Sequence, residues 1–192
     1  MIGLGIKNPK VLSEKQINEE QHKLKISDSL GYILNETFFE NKFYELKNSK
    51  NYKEIKANVN DHFQPQQAIY INKEKNTIEA CVFNCLADMD GMNLTWNKNH
   101  ELEFFPPKYT DYIDTLFSIN DYLNTISNTE KARKYLFNND KKYAVLIYWT
   151  KFGGRQNKRF LQQIRKNIRE FSGDSCNFIY INMDSFFGHA GR

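Results

Sequence analysis

The chain lacks any run of about 18 apolar residues, so the sequence given predicts no membrane-spanning helix. Its first residues, Met1–Ile6, also lack the long apolar region of a signal peptide. It has only three cysteines, an odd number without dense spacing, which excludes a disulfide scaffold. What remains is a chain of 192 residues, long enough to bury an ordinary hydrophobic core as one domain or one elaborated domain.

Motifs of common enzyme sites are missing as well. There is no Gly-x-Ser-x-Gly, no His-Glu-x-x-His and no phosphate-binding loop ending in Gly-Lys-Ser/Thr. The segment Asp88–Asn93 has acids like those of a calcium loop, but Gly91 comes too early, so we interpret it as a turn. We therefore expect no metal and no cofactor, and the sequence favours a protein that is not an enzyme.

Positive charge is concentrated in one segment. The chain carries a net charge of +4, yet between residues 141 and 171 the only acid is Glu170. The nine basic residues of this segment are Lys141, Lys142, Lys151, Arg155, Lys158, Arg159, Arg165, Lys166 and Arg169. Such a segment is either a solvated helix face or a contact surface for an anion or an acidic partner.

Local patterns in the first half predict helices and strands together. Ser13 and Gln16 form a capping-box pattern that predicts a helix over roughly 14–25. Residues 31–63 fit either a helix or short strands, and both remain open. We therefore expect an α+β arrangement in this half.

The middle of the chain contains stronger patterns. Two β-rich runs within 68–83 predict a hairpin, and 94–96 and 102–105 predict further strand. Apolar residues within 111–138 recur at helical spacing, with a break near Ser127. The second helix after that break should have Ala132, Tyr135 and Leu136 on its apolar face.

The last third predicts a strand, a helix and a strand. Tyr143–Trp149 is a continuous apolar run of the kind found in a central strand, and Cys176–Asn182 is the next β-rich run. Between them, and before Gly173, an apolar stripe at helical intervals is formed by Phe160, Leu161, Ile164, Ile168 and Phe171. Parallel pairing of the two strands is the expected outcome.

This last unit resembles the active-site unit of the thioredoxin family. The family places an aromatic pair after its buried strand, and here Trp149 and Phe152 match that pair. The strand-end acid of the family is matched by Asp184. The Cys-x-x-Cys positions instead contain Gly153, Gly154, Arg155 and Gln156. The resemblance therefore implies a thioredoxin-like domain without the thiolate on which thioredoxin chemistry depends.

The fold class we expect is α/β, with a thioredoxin-like strand–helix–strand core in the C-terminal third. An N-terminal α+β portion, residues 1–110, would complete this core with its hairpin, and residues 111–192 would form the thioredoxin-like portion of one compact unit. The family continues with a cis-proline loop, two antiparallel strands and a helix, but this sequence ends eight residues after Asp184. Either the hairpin region 68–105 completes the sheet, or that half is missing. The family's cis-proline has no match in this sequence.

A second resemblance bears on location. The segments Tyr148–Arg159 and Gly5–Val11 are similar to those of uncharacterised bacterial envelope lipoproteins with a thioredoxin-like C-terminal half. This resemblance implies an extracytoplasmic protein, periplasmic or lipid-anchored, whose signal is absent from the sequence given. Without such a signal, the protein would be cytoplasmic.

The candidate binding residues lie at the predicted start of the long basic helix: Gly153, Gly154, Arg155, Gln156 and Arg159. Glycine N–H groups and arginine side chains could bind an anion there. Cations at a helix start oppose the helix dipole, and this cost suggests compensation by a carboxylate, a phosphate or an acidic partner. The alternative is an ordinary solvated face.

The cysteines are the other candidate site. Cys81 and Cys85 would lie about 13 Å apart on a straight strand, too far for a disulfide. Buried thiols, a disulfide that needs a turn, and a redox function of Cys81, Cys85 and Cys176 all remain open.

The sequence thus predicts a redox-inactive thioredoxin-like protein used for binding or scaffolding, whose partner is another protein, possibly acidic. A thiol-disulfide oxidoreductase with non-standard cysteines is the alternative. Binding of nucleic acid or another polyanion through the basic helix is a third hypothesis, for which no recognised motif is present.

Overall fold

A five-stranded mixed sheet forms the centre of the protein. The structure, a computed structural model, describes residues 8–83, 88–90, 93–95, 97, 99–108 and 116–190. The described residues contain seven α-helices: α1 (Glu14–Lys23), α2 (Glu36–Lys47), α3 (Tyr52–His62), α4 (Ile119–Asn124), α5 (Thr129–Phe137), α6 (Gly154–Phe171) and α7 (Asp184–Ala190). The strands are β1 (Gly31–Ile33), β2 (Gln67–Asn72), β3 (Thr77–Phe83), β4 (Asp88–Asp90), β5 (Asn93–Thr95), β6 (Tyr143–Trp149) and β7 (Cys176–Asn182).

The sheet has the strand order β1-β7-β6-β2-β3. Strands β1, β7 and β6 are parallel, whereas β2 pairs antiparallel with both β6 and β3. The predicted hairpin within 68–83 and the predicted parallel pairing of the last two strands are therefore confirmed. Strands β4 and β5 pair separately as a small two-stranded sheet.

Residues from both predicted portions build the main sheet. Strands β1, β2 and β3 come from the N-terminal half, and they flank β6 and β7 of the C-terminal third. The predicted boundary at residues 110 and 111 lies outside the described residues. An α/β fold with one mixed sheet is thus established.

Alternate residues of the buried strands contribute to two separate cores. On β6, Ala144, Leu146 and Tyr148 face helices α2, α3, α4, α5 and α7, whereas the residues between them face α1 and α6. All six residues from Ala144 to Trp149 are at most 1% exposed. This burial on both faces explains the continuous apolar run of β6, because a strand covered on each side has no polar face.

The N-terminal helix begins where the sequence predicts. The Ser13 side chain accepts a hydrogen bond from the Gln16 N–H, and the Gln16 side chain accepts one from the Ser13 N–H. This capping box satisfies two N–H groups that have no partner inside the helix. Ile17 of α1 is buried in the same core as Phe160 of α6, so α1 is held on the α6 side of the sheet.

The predicted strand at 102–105 is wrong. Glu101–Glu103 forms a 3-10 turn, and the Asn97 side chain accepts a hydrogen bond from the Leu102 N–H. The buried Asn167 side chain of α6 donates to the Leu102 and Phe104 carbonyls at 2.7 and 2.8 Å. These long-range bonds replace the ladder bonds that a strand would need.

Two aromatic positions also differ from the predicted core. Tyr135 is 39% exposed although Ala132 and Leu136 on the same helix are buried, and Phe171 is 40% exposed at the end of α6. Of the helix predicted from residue 111, the described part contains α4 alone, whose first turn is capped by Ser118. The peptide bond between Phe105 and Pro106 is cis.

Truncation of Phe160 should be far more damaging than truncation of Phe171. Phe160 is 0% exposed, so Phe160→Ala should lower the free energy of unfolding by about 3–5 kcal/mol through lost contacts and a residual cavity. Phe171→Ala on the same helix is the matched control and should change it by less than about 0.5 kcal/mol. Urea unfolding followed by circular dichroism measures both, and equal losses would contradict the assigned helix face.

Candidate functional site

The turn between β6 and α6 is fixed by one buried carboxylate. Asp184 follows β7 and is 1% exposed. Its two oxygens accept hydrogen bonds from the backbone N–H groups of Lys151 and Phe152 at 2.7 and 3.3 Å. The Asn182 side chain donates a third bond at 2.7 Å. The carboxylate therefore joins the end of β7 to the turn in front of α6.

Burial dominates the electrostatics of this carboxylate. Desolvation raises the pKa of Asp184 above its ordinary value of 3.8, and the bonds from Lys151, Asn182 and Phe152 oppose that rise. Folded protein therefore binds the Asp184 proton more tightly than unfolded chain does. The contribution of this group to the free energy of unfolding is largest below its ordinary pKa and decreases as pH rises through the raised value.

The two glycines of the turn have different functions in the fold. At Gly153, a Cβ atom would overlap the side-chain amide of Gln66, so any other residue would have to displace the end of that buried side chain. Gly154 has a φ of 53°, in the left-handed region that disfavours other residues. The Gly-Gly pair is thus explained by packing and backbone conformation.

The structure divides the five candidate binding residues between interior and surface. Gly153 and Gln156 are buried, whereas Gly154 and Arg159 are partly exposed and Arg155 is exposed. The N–H of Gly153 donates to the Thr150 hydroxyl, and that of Gly154 donates to the Lys151 carbonyl. Because both glycine N–H groups have acceptors within the turn, the groups that can meet a partner are the basic side chains.

A cleft lies beside these basic side chains. It has a volume of about 680 Å³ and lies between α1 and the first turns of α6. Its cationic lining residues are Lys23, Lys151, Arg155 and Lys158. The sequence did not point to Lys23 as a site residue, since α1 and α6 become neighbours only through packing on the same face of the sheet.

The positive charge of this cleft is only partly neutralised. Glu20 lies 3.6 Å from the ammonium groups of both Lys23 and Lys151. Within the described part of the chain, no carboxylate lies within 4 Å of Arg155 or Lys158. The first turn of α6 also contains no acid. An incoming carboxylate would therefore meet unopposed cations together with the positive end of the helix dipole.

The two described cysteines lie on opposite faces of the sheet. Cys81 of β3 packs in the core under α2–α5, whereas Cys176 of β7 packs in the core under α6. Three strand spacings separate them, about 14 Å, and a disulfide needs Cα atoms within about 7 Å. These two residues are therefore not a disulfide pair, and the prediction for Cys85 lies outside the described residues.

Burial also keeps the Cys176 thiol protonated. It raises the pKa of Cys176 to about 12, although Lys73 and Lys141 nearby oppose the rise. A thiolate is the nucleophile in disulfide exchange, so a thiol with this pKa is a poor redox group at neutral pH.

The described residues contain neither a membrane-spanning helix nor a cluster of metal ligands. No helix there is long and apolar enough to cross a membrane. No group of three His, Cys, Asp or Glu side chains in that part could hold a metal ion. Comparisons with protein-family models, with curated proteins and with solved structures found no match to this chain.

Replacement of Asp184 should loosen the turn. Asp184→Asn keeps only one acceptor oxygen, so at least one backbone N–H loses its partner, and the free energy of unfolding should fall by about 1–3 kcal/mol. The wild type loses the contribution of Asp184 to its free energy of unfolding as pH rises from 3.8 through the raised pKa, whereas the variant has no titrating group at this site. The difference in free energy of unfolding between the two proteins should therefore narrow over that pH range.

Urea titrations at several pH values between about 3 and 8 test this prediction. Asp174→Asn is the control, since Asp174 is an exposed acid whose removal costs little. A gap that widens with rising pH would contradict the raised pKa of Asp184.

Both described cysteines should resist alkylation until the protein unfolds. The test uses a Cys85→Ser variant, so that only Cys81 and Cys176, at 3% and 8% exposure, contribute. Intact mass should show no label on the native protein and two labels after denaturation without reductant. Adding Lys158→Cys provides an exposed control that should react at once. Rapid labelling of the native variant, or a need for reductant, would contradict the assignment of buried thiols.

Proposed function

We propose that this protein is a redox-inactive, thioredoxin-like binding or scaffold protein of the bacterial envelope, which contacts its partner through the start of α6. The observation that carries the proposal is the cationic cleft at this helix start. It lies next to Gly153, Gly154, Arg155 and Gln156, the positions that would hold the Cys-x-x-Cys motif in the thioredoxin family. A surface in that place can bind a partner protein, but it has no thiol with which to exchange a disulfide.

The arrangement of the C-terminal strands supports the thioredoxin-like part of the proposal. Strand β6, the turn, α6 and β7 follow in order, with parallel strands and a buried acid after β7 that bonds to the turn. An antiparallel pair, β2 and β3, extends the sheet beside β6. In the family this pair follows the strand–helix–strand unit, whereas here it precedes the unit in the sequence.

The nucleic-acid hypothesis receives less support from the aromatic residues near the helix. Tyr148 and Trp149, which could have stacked on bases, are 1% and 0% exposed. Phe152 packs against Phe187 with ring centroids 5.3 Å apart. Base stacking requires an open ring face, so a protein partner with acidic side chains fits this surface better. The envelope location is supported by the lipoprotein resemblance alone.

Reversal of charge at the helix start should abolish partner binding while it stabilises the fold. In Arg155→Glu/Lys158→Glu, acids replace cations at the positive end of the dipole, so we expect a gain of about 0.3–1 kcal/mol per residue. The variant should capture at least about tenfold less of the partner proteins that the wild type captures from envelope extracts, because like charges would then face each other. Quantitative mass spectrometry of the captured proteins measures this loss.

Helix α3 provides a matched control. Lys53 and Lys56 occupy the second and fifth residues of α3, as Arg155 and Lys158 do in α6, and both are exposed. Lys53→Glu/Lys56→Glu makes the same change in net charge on the opposite face and should leave capture intact. If the two double variants capture the same proteins as the wild type, the helix start is not the contact surface.

A further inference from the structure

We infer that the cationic cleft is one end of a longer groove along α6, which binds an extended acidic peptide segment of a partner protein. This inference rests on the proposed binding function and specifies the chemistry of the partner. It extends the site from the helix start to Arg165 and Arg169 of α6 and to Lys25 of the α1–β1 connection.

Three adjoining hollows form the groove. The cleft at the start of α6 shares Lys23, Leu24 and Lys158 with a second hollow of about 240 Å³. The second hollow shares Lys25 and Arg165 with a third, which has a volume of about 580 Å³. Shared lining residues make the three hollows neighbours, so together they follow α6 from its first turn to Ser172.

The length of the groove fits a short extended peptide. From Arg155 to Ser172 the helix rises about 26 Å at about 1.5 Å per residue. An extended chain advances about 3.3 Å per residue, so about eight residues would fill the groove.

Cations outnumber acids along this path. The second and third hollows add Lys25, Arg165 and Arg169 to the four cations of the cleft. Among the described residues, the acids that line the three hollows are Glu20 and Asp174, and both already face lysines. Arg169 is also paired, with Glu170 at 2.9 Å. The groove therefore has a surplus of positive charge over its whole length.

Arg165 is the residue that points most directly to an anionic ligand. Its Nε donates to the Tyr180 hydroxyl at 2.7 Å, and its guanidinium lies 5.0 Å from the centre of the Tyr180 ring. Its Nη2 is buried and has no hydrogen-bond partner in the described part of the chain. Tyr180 thus holds the guanidinium in one orientation in the wall of the groove, so the rest of the group can meet a carboxylate without reordering, although the buried Nη2 is not itself open to a ligand.

The walls favour a peptide over a nucleic acid. Leu24, Leu30 and Ile168 give the groove apolar strips that match side chains spaced between acids. Arg165 covers the ring of Tyr180, which is 3% exposed. The Phe178 ring packs edge-on against the same tyrosine. Tyr180 therefore does not offer the free face on which a base would stack.

The test uses a fluorescein-labelled peptide of four Glu-Leu repeats, followed by fluorescence anisotropy at about 50 mM and about 300 mM salt. Wild-type protein should bind it, more weakly at high salt, and should not bind the Lys-Leu counterpart.

Arg165→Gln should weaken binding about tenfold, the loss expected for a charge-assisted hydrogen bond. Lys25→Gln, an exposed change that leaves the core intact, should weaken it about threefold.

Lys166→Gln is the control, since Lys166 is the neighbour of Arg165 but lines none of the three hollows. If Arg155→Glu weakens binding while Arg165→Gln and Lys25→Gln do not, the proposed contact surface stands and the groove is overturned. If only the latter two variants weaken binding, the groove stands and the helix start fails as the contact surface.

Two further results would overturn the inference. One is the absence of measurable peptide binding at low salt. The other is equal binding of an eight-nucleotide thymidine oligomer with the same dependence on Arg165, which would identify a general polyanion site. If the protein binds the peptide clearly and the oligomer weakly or not at all, the result supports an acidic peptide as the ligand of the groove.

Discussion

The contact between the Asp184 carboxylate and the turn before α6 is the constraint on which the candidate site depends. Two backbone N–H groups of the turn and one side-chain amide share this buried acceptor, which lies directly after β7. The turn therefore cannot move independently of the sheet. As a result the start of α6, with its cations, is presented in one fixed position, as a preorganised binding surface requires.

The two faces of the sheet have different relations to function. Helices α2, α3, α4, α5 and α7 cover one face with a large aromatic and aliphatic core. The other face is covered by α1 and α6, whose apolar sides meet over β6 while their polar sides border the groove. Cations at the start of α6 oppose the helix dipole, and the binding surface we propose accounts for their presence on this face.

Much of the fold could be predicted from local patterns, but the site could be predicted only in part. The apolar run of β6, the β2–β3 hairpin and the capping box at Ser13 depend on residues close in sequence, and each has its predicted structure. The segment at 102–105 could not be predicted, because the amide of Asn167, far along the chain, binds its carbonyls. For the same reason, Lys23 and Lys25 gave no signal, since their closeness to α6 exists only after folding.

Amide chemical-shift mapping of the protein during titration with the Glu-Leu peptide tests the central claim most directly. The account predicts shifts confined to residues 20–30 and to α6 from Arg155 to Ser172, with the α2–α5 face unchanged. Shifts centred on that opposite face, or scattered over the whole surface, would contradict the assignment of α6 and its groove as the binding site.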